Sequence, residues 1–239
     1  MGGRRIPVRM AISLKPSLPV LLSFTGGYVD TAGFLALQGL FAAHVTGNFV
    51  TIAAALVFGT SGVATKLLAL PVFCLSIITI RLARYGIARR NWPILPTILS
   101  LKFALLCVGT VLAICLGPFR NGDSWQAMLT GMTFVAAMAV QNALHRVHLS
   151  GLPPSTVMTS TVTQLMIDIA DWLRGLAPEQ RDATRTRMRH MSSAVASFAI
   201  GAASAASLFS AVSIWCFAVT PLAALAARWL VTSEDPVQE

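Results

Sequence analysis

Eight apolar runs take up most of the chain, and they constrain its fold more than any other feature. A membrane-spanning helix needs about 20 apolar residues. The composition agrees, because the 239 residues are 55% hydrophobic and only 11% charged, whereas soluble domains carry about a quarter charged residues. We therefore predict an all-α integral membrane protein. The runs are Ser17–Leu40, Thr46–Gly59, Leu67–Ala83, Ile94–Gly117, Trp125–Leu144, Val157–Leu173, Met191–Phe209 and Ala211–Leu230.

The basic residues flank these runs in clusters. The clusters comprise Arg4, Arg5, Arg9 and Lys15; Arg81, Arg84, Arg89 and Arg90; and Arg174, Arg181, Arg185, Arg187 and Arg189. Basic clusters beside apolar runs are typical of the cytoplasmic loops of membrane proteins. We expect anionic membrane lipids as their partners and do not expect nucleic acid, which would need a water-facing basic groove.

Charge distribution decides between two topologies. If all eight runs cross the membrane from a cytoplasmic N-terminus, the Arg81–Arg90 cluster lies outside, which violates the positive-inside rule. If the second and sixth runs are re-entrant, that cluster, Arg146, the Arg174–Arg189 loop and Arg228 all lie inside. The second run is also short for a span. We predict about six transmembrane helices plus two re-entrant or broken helices, with both termini cytoplasmic.

This topology divides the chain into two halves. Each half has three spans, an odd number, so that the halves enter the membrane from opposite sides and form two inverted repeats. The predicted parts are a basic cytoplasmic N-terminus (1–16), a first membrane repeat (17–117), a second membrane repeat (118–230) and a short polar tail (231–239).

Asp30 is the first candidate functional residue, because it lies inside an apolar run. Carboxylates within the membrane are costly and usually face a cavity or a partner. One interpretation is a group that titrates or contacts a solute. The alternative is a structural hydrogen bond to a backbone amide at a helix break.

The second candidate is the opening of the first re-entrant run, His44-Val45-Thr46-Gly47-Asn48. Unpaired N–H groups at a helix start carry partial positive charge and bind anions. Thr46 and Asn48 add side-chain donors, Gly47 permits close backbone approach, and His44 titrates near neutral pH. The alternative is N-capping by Thr46 or Asn48.

The second half has a counterpart to this opening. Thr159, Ser160 and Thr161 open the sixth run, and Gln141 and Asn142 lie in the span before it. Two helix starts facing one midplane site are characteristic of transporters with inverted repeats. The alternatives are hydroxyl bonding within an ordinary helix and, for the two amides, ties between helices.

For the other polar residues we favour structural interpretations. We interpret Lys102 as extending to the membrane interface, with neutralisation of Asp30 or of an anionic ligand as the alternative. Asp168 and Asp171 are expected to pair with Arg174 or its neighbours. A stripe of small residues predicts close helix packing within the chain or in a homo-oligomer. The stripe consists of Ser193, Ser197, Gly201 and Ala205.

Two blocks resemble a known family. The first runs from Gly26 to Phe34 (GGYVDTAGF) and continues as FAAHVTGN from Phe41 to Asn48; the second is Gln141-Asn142-Ala143 with Thr156 to Thr163. They are similar to the signature of the YoaK family of bacterial membrane proteins, a domain of unknown function. That family tends to have Thr-Gly where this chain has Thr159-Ser160. The resemblance implies residence in the bacterial inner membrane and supplies no substrate.

These observations favour a small secondary transporter or channel-like permease. The solute is expected to be small and anionic or polar, with proton coupling through Asp30. The alternative is a membrane accessory or sensor protein that transports nothing. An enzyme is not expected, because the sequence contains no motif of the hydrolase, nucleotide-binding or zinc-protease type. No cofactor or metal is expected either, since the cysteines and histidines lack ligand spacing.

Overall fold

The computed structural model of the protein describes residues 17–90 and 92–232, which form α-helices and no strand. The first basic cluster and the tail from 233 therefore lie outside the described residues. Short 3-10 helices precede α2 (Val45–Gly47) and α8 (Ser213–Ala218). The helices are α1 (Ser17–Ala36), α2 (Asn48–Phe58), α3 (Val63–Arg89), α4 (Ile94–Leu116), α5 (Trp125–His148), α6 (Met158–Arg174), α7 (Pro178–Val212) and α8 (Val219–Thr232).

Four helical stretches in this part are long and apolar enough to cross a membrane. They are Val63–Ile87, Ile94–Leu116, Trp125–His148 and Pro178–Val231, the last of which contains α7 and α8. The prediction of an all-helical protein with membrane character is confirmed. In contrast, α2 has only 11 residues, or about 16 Å of helix, against a hydrocarbon core of about 30 Å.

Helix α7 begins earlier than the apolar pattern predicts. The expectation of a basic loop over Arg174–Arg189 is wrong, because α7 starts at Pro178 and carries Arg181 to Arg189 on its first turns. Pro178 occupies the first helical turn, where its missing N–H is not needed. Arg, Gln and Met are good helix formers, and apolarity alone does not detect a polar helical extension.

The buried apolar residues form two layers, one towards each end of the bundle. One cluster joins the start of α1 (Leu18) to the end of α3 (Ile80), the end of α5 (Leu144) and the end of α8 (Val231). We call this the basic end, since Arg81, Arg84 and Arg146 lie close to it in the sequence. The other cluster joins the end of α1, the start of α3, the end of α4 and the start of α5.

The closest helix contact is a crossing of α1 with α7, the most extensive pairing in the bundle. Gly27 lies against the Phe198 carbonyl, and Gly201 lies against the Phe24 carbonyl. Ser197 donates a hydrogen bond to the Val20 carbonyl at 2.7 Å. The predicted small-residue stripe thus packs within the chain, where small residues allow backbones to approach.

The remaining pairings follow a regular pattern. Helix α5 packs on α3 as α1 packs on α7, and α6 packs on α7 as α2 packs on α3. Likewise α4 packs on α5 and α8 packs on α1, while α4 and α8 pack on each other. Each of these helix pairings therefore has an equivalent with the two halves exchanged.

Asp123 closes the end of the bundle opposite the basic end. Its carboxylate accepts backbone N–H groups of Gly62 (2.7 Å), Val63 (3.2 Å) and Thr65 (3.1 Å) at the start of α3. Burial alone would raise the pKa of Asp123, but these backbone bonds hold the pKa below its ordinary value. The loop between α4 and α5 thereby caps α3 of the other half.

We expect Gly201→Val to destabilise the protein by about 1–3 kcal/mol, because the added side chain would overlap the Phe24 carbonyl. Thermal unfolding of the detergent-purified chain measures the effect. Gly86→Ala is the matched control, since a Cβ there meets nothing within 4 Å. Equal unfolding temperatures for Gly201→Val and wild type would contradict the described crossing.

Acidification should weaken the Asp123 cap. The folded pKa lies below the unfolded value of 3.8, so the stabilisation is fully present above about pH 4 and is lost as the pH falls through the folded pKa. The unfolding temperature of Asp123→Asn should then depend less on pH in this range than that of wild type. Asp182→Asn, at an exposed position on α7, should retain the wild-type dependence; a parallel loss in both variants would disprove the role of Asp123.

Candidate functional site

Asp30 anchors the segment that joins α1 to α2. The residue is 3% exposed, and its carboxylate accepts the backbone N–H groups of Ala43 (2.5 Å) and His44 (3.1 Å). Backbone donors outside a helix need an acceptor in a membrane, where water is absent. The carboxylate therefore draws the segment back from the end of α1 to the level of Asp30, where α2 begins.

The His44 side chain connects this segment to the other half of the chain. Its Nδ1 lies 2.5 Å from the second Asp30 oxygen, and the ring also lies beside the Thr156 backbone. The ring meets Phe198 of α7 edge-on, with centroids 5.5 Å apart. About a third of the side chain, 36%, stays exposed. His44 therefore contacts α1, α7 and the loop before α6.

A similar arrangement joins α5 to the loop before α6. Asn142 accepts a hydrogen bond from the Thr156 hydroxyl at 2.6 Å. Gln141 donates to the Ser155 hydroxyl at 3.0 Å and to the Leu22 carbonyl of α1 at 2.8 Å. The loop thus returns along α5 to the level of these amides, and α6 begins there. The contacts Asp30–His44–Thr156–Asn142 form one continuous chain.

The two anchors occupy equivalent positions in the sequence. Asp30 and His44 are 14 residues apart, as are Asn142 and Thr156. Superposing these pairs without gaps aligns further identical residues: Leu37 with Leu149, Gly39 with Gly151, Leu40 with Leu152, Val45 with Val157, Val50 with Val162, and Thr51 with Thr163. Composition and apolarity do not single out Ser155 or Phe198, and Thr156 stands in the sequence only as the first residue of a family block. The shared spacing is the signal that identifies Ser155 and Thr156.

The other residues of the first opening lie away from this chain of contacts. Asn48 is buried and bonds both the N–H and the carbonyl of Phe41, each at 2.9 Å. It makes no side-chain cap of the following helix. Gly47 packs against the Phe41 ring, and Thr46 is exposed. Asn48 therefore closes the segment into a compact loop.

The hydroxyl groups of the second opening bond mostly to their own helix. Thr161 is buried and donates to the Val157 carbonyl at 3.0 Å. Ser160 donates to the same carbonyl at 3.1 Å, and Thr159 is exposed. Of these three, Ser160 borders a cavity.

That cavity has a volume of about 290 Å³ and lies beside the Asn142–Thr156 contact. Its polar lining comes from the end of α5, the loop after it and the start of α6, namely Asn142, His145, Arg146, Ser150, Ser155 and Ser160. A concave space with a few convergent polar groups is the usual form of a small-molecule site. We call this space the α5–α6 cavity.

Lys102 of α4 is fully buried, at 0% exposure. The expectation that it extends to the interface is wrong, because its side chain has no exposed surface, and Asp30 is paired with His44 instead. Within the described residues, the Lys102 ammonium and the Gln141 Oε1 atom are buried without a hydrogen-bond partner. Such orphaned groups indicate a position for water or a polar ligand.

Asp168 forms an ion pair outside the contact chain. Arg187 of α7 binds it through two hydrogen bonds of 2.6 Å. The expected pairing with the basic segment is therefore confirmed, although the partner is Arg187 and not Arg174. This pair joins α6 to α7 at a distance from the openings.

Asn48→Ala should destabilise the protein by about 1–3 kcal/mol, because two backbone groups of Phe41 would lose their partners. The unfolding temperature in detergent should fall by several degrees. Thr46→Ala, two positions away and exposed, is the control and should unfold like wild type. If Asn48→Ala unfolds at the wild-type temperature, Asn48 does not hold this loop.

Comparison with known proteins identifies the family. A family model described as protein of unknown function (DUF1275) matches residues 18–230. The YoaK family is part of this family, so the resemblance in the sequence is confirmed. No curated protein and no solved structure matches the chain. The chain belongs to the DUF1275 family of proteins of unknown function.

Proposed function

We propose that the protein is a small secondary transporter or channel-like permease of the bacterial inner membrane. The observation that carries this proposal is the contact chain Asp30–His44–Thr156–Asn142, which joins both halves beside the α5–α6 cavity. The solute would be small and anionic or polar and would bind there. Sites of this kind, at broken helices between two repeats, are characteristic of secondary transporters.

The two halves are proposed to be inverted repeats. The exchangeable helix pairings and the equal spacing of the two anchors support this. Within each half, the first helix ends, the chain returns to mid-helix, and a second helix starts there. We therefore assign α2 and α6 as re-entrant helices, and α1, α3, α4, α5, α7 and α8 as the spans.

The orientation follows from charge. Arg81, Arg84 and Arg146 lie near one end of the bundle, and the positive-inside rule assigns that end to the cytoplasm. The start of α1 and the end of α8 meet there, which favours cytoplasmic termini. The α5–α6 cavity, bordered by Arg146, would open to the cytoplasm.

Charge at the site favours an anion or a neutral polar solute. Asp30 would repel an anion if it stood alone, but two backbone N–H groups and the His44 ring surround its carboxylate with donors. The hydrogen bond between the His44 ring and the carboxylate contains one proton, which transport could use. Arg146 adds positive charge at the border of the α5–α6 cavity.

A second cavity supports access from the opposite side. It has a volume of about 380 Å³ and is bordered by the end of α1, by α2 and by Lys66. In the proposed orientation it opens outside. Alternating access would connect either cavity to the contact chain in turn.

A second candidate function is a membrane accessory or sensor protein that moves no solute. The completeness of the Asp30 hydrogen bonds favours it: both oxygens are occupied by backbone and His44 donors, as a purely structural anchor requires. The two functions differ in whether any solute crosses the membrane, and this difference can be measured.

The test is uptake into proteoliposomes under an imposed pH gradient. The probes are chloride, nitrate, formate, phosphate and glycerol. We expect at least one to enter faster than into protein-free liposomes, and Asp30→Asn to slow its entry at least about tenfold, since one charged hydrogen bond contributes about 1.5–3 kcal/mol. His44→Gln should abolish the effect of the pH gradient.

Two controls keep the outcome interpretable. Asp171→Asn, exposed on α6, should transport like wild type. Unfolding temperatures show whether Asp30→Asn and His44→Gln remain folded. Wild-type protein that moves none of the probes would favour the accessory role, and equal transport by folded Asp30→Asn would remove Asp30 from the site.

A further inference from the structure

Another cavity lies at the basic end, and its wall is mostly apolar, unlike that of the α5–α6 cavity. Its volume is about 340 Å³, and it lies between α3, the start of α4 and the end of α5. Most of its wall is apolar, formed by Phe73, Ile77, Ile80 and Ile98, while three arginines border it: Arg81, Arg84 and Arg146. We call it the arginine cavity.

The arginines of this cavity have no anionic partner within the described chain. The described ion pairs are His44–Asp30 and Arg187–Asp168. Arg81 lies over the Tyr85 ring of its own helix, at 5.8 Å, and that contact leaves the charge uncompensated. Three guanidinium groups that converge on one apolar cavity attract an anion, and guanidinium binds phosphate through paired donors.

The apolar part of the cavity selects an amphiphile over a free ion. Residues 73, 77, 80 and 84 recur at helical spacing and present one face of α3 to the cavity. The same helix exposes Leu75, Ile78 and Leu82, which in a membrane-spanning helix face lipid. A phosphate alone would leave the aliphatic wall unfilled, whereas an acyl chain would cover it.

We propose that the arginine cavity binds one anionic phospholipid, with its phosphate on Arg81, Arg84 and Arg146 and an acyl chain along Ile77 and Ile80. Basic pockets between transmembrane helices at the cytoplasmic side recognise such headgroups. The site does not depend on transport, and it is more selective than the general attraction of basic loops to an anionic surface, because its shape fixes the lipid.

The test uses the full chain in detergent and native mass spectrometry with phosphatidylglycerol, phosphatidylcholine and glycerol 3-phosphate. We expect phosphatidylglycerol to bind most tightly. The double variant Arg81→Gln/Arg84→Gln should weaken its binding about 25-fold, since each basic residue near an anionic headgroup contributes about a factor of five. Ile77→Trp, which fills the apolar part, should weaken binding while the arginines remain.

A charge-matched control separates this site from general attraction. Arg185→Gln/Arg189→Gln removes two exposed charges of α7, and lipid binding should persist. Equal loss in both double variants would overturn the proposal in favour of non-specific attraction. Phosphatidylcholine binding as tightly as phosphatidylglycerol, or glycerol 3-phosphate displacing the lipid at equal concentration, would also overturn it. Unfolding temperatures establish that each variant is folded.

Discussion

The arrangement of both halves depends on the need to give every backbone N–H group an acceptor in a membrane. In the proposed membrane topology, segments 37–47 and 149–157 enter the interior, where water cannot supply one. Asp30 supplies it for Ala43 and His44. In the second half, Gln141 and Asn142 hydrogen-bond the side chains of Ser155 and Thr156 in the loop before α6. Without the Asp30 hydrogen bonds, nothing described here would hold the start of the short helix α2 inside the bundle.

Close packing of the spans makes room for these loops. The glycine crossing of α1 and α7 brings Phe198 to the His44 ring, and Gly26 lies against the Ser155 carbonyl, where a Cβ would be 3.1 Å away. The small residues of α1 therefore make two close contacts, one with α7 and one with the loop before α6. The site therefore lies beside the closest approach of the backbones of α1 and α7.

Much of the fold could be predicted from apolarity and charge alone. The apolar runs indicated where the helices lie. The shortness of the second run and the position of Arg81–Arg90 led to the proposal that α2 and α6 are re-entrant. Helix ends were harder to predict, since the polar turns of α7 carry no apolar signal. The apolar runs place a break before α8 at residue 210, whereas α7 ends at Val212 and Ser213 follows with a positive φ of 51°; the sequence does not identify Ser213 as the residue at the break.

The candidate site was only partly accessible from sequence. Asp30, Gln141 and Asn142 stood out as polar groups in apolar runs, and His44 as the residue before the second run. The structure brings them together. Ser155 and Thr156 look like ordinary loop residues, and only the 14-residue spacing shared with Asp30 and His44 marks them. Asn48 resembles a helix cap, but it bonds Phe41, because the chain turns back on itself, a tertiary feature. The burial of Lys102 depends on neighbouring helices and could not be predicted from the sequence of α4 alone.

Asn142 borders both the arginine cavity and the α5–α6 cavity, and its amide also holds Thr156. A wall shared by two compartments makes their occupants thermodynamically interdependent: whatever factor one occupant imposes on the affinity of the other is imposed in return. Membrane composition would then enter the binding equilibrium at the centre of the protein through Asn142 and through Arg146, which also borders both cavities. The bilayer would act on this chain as an effector as well as a solvent.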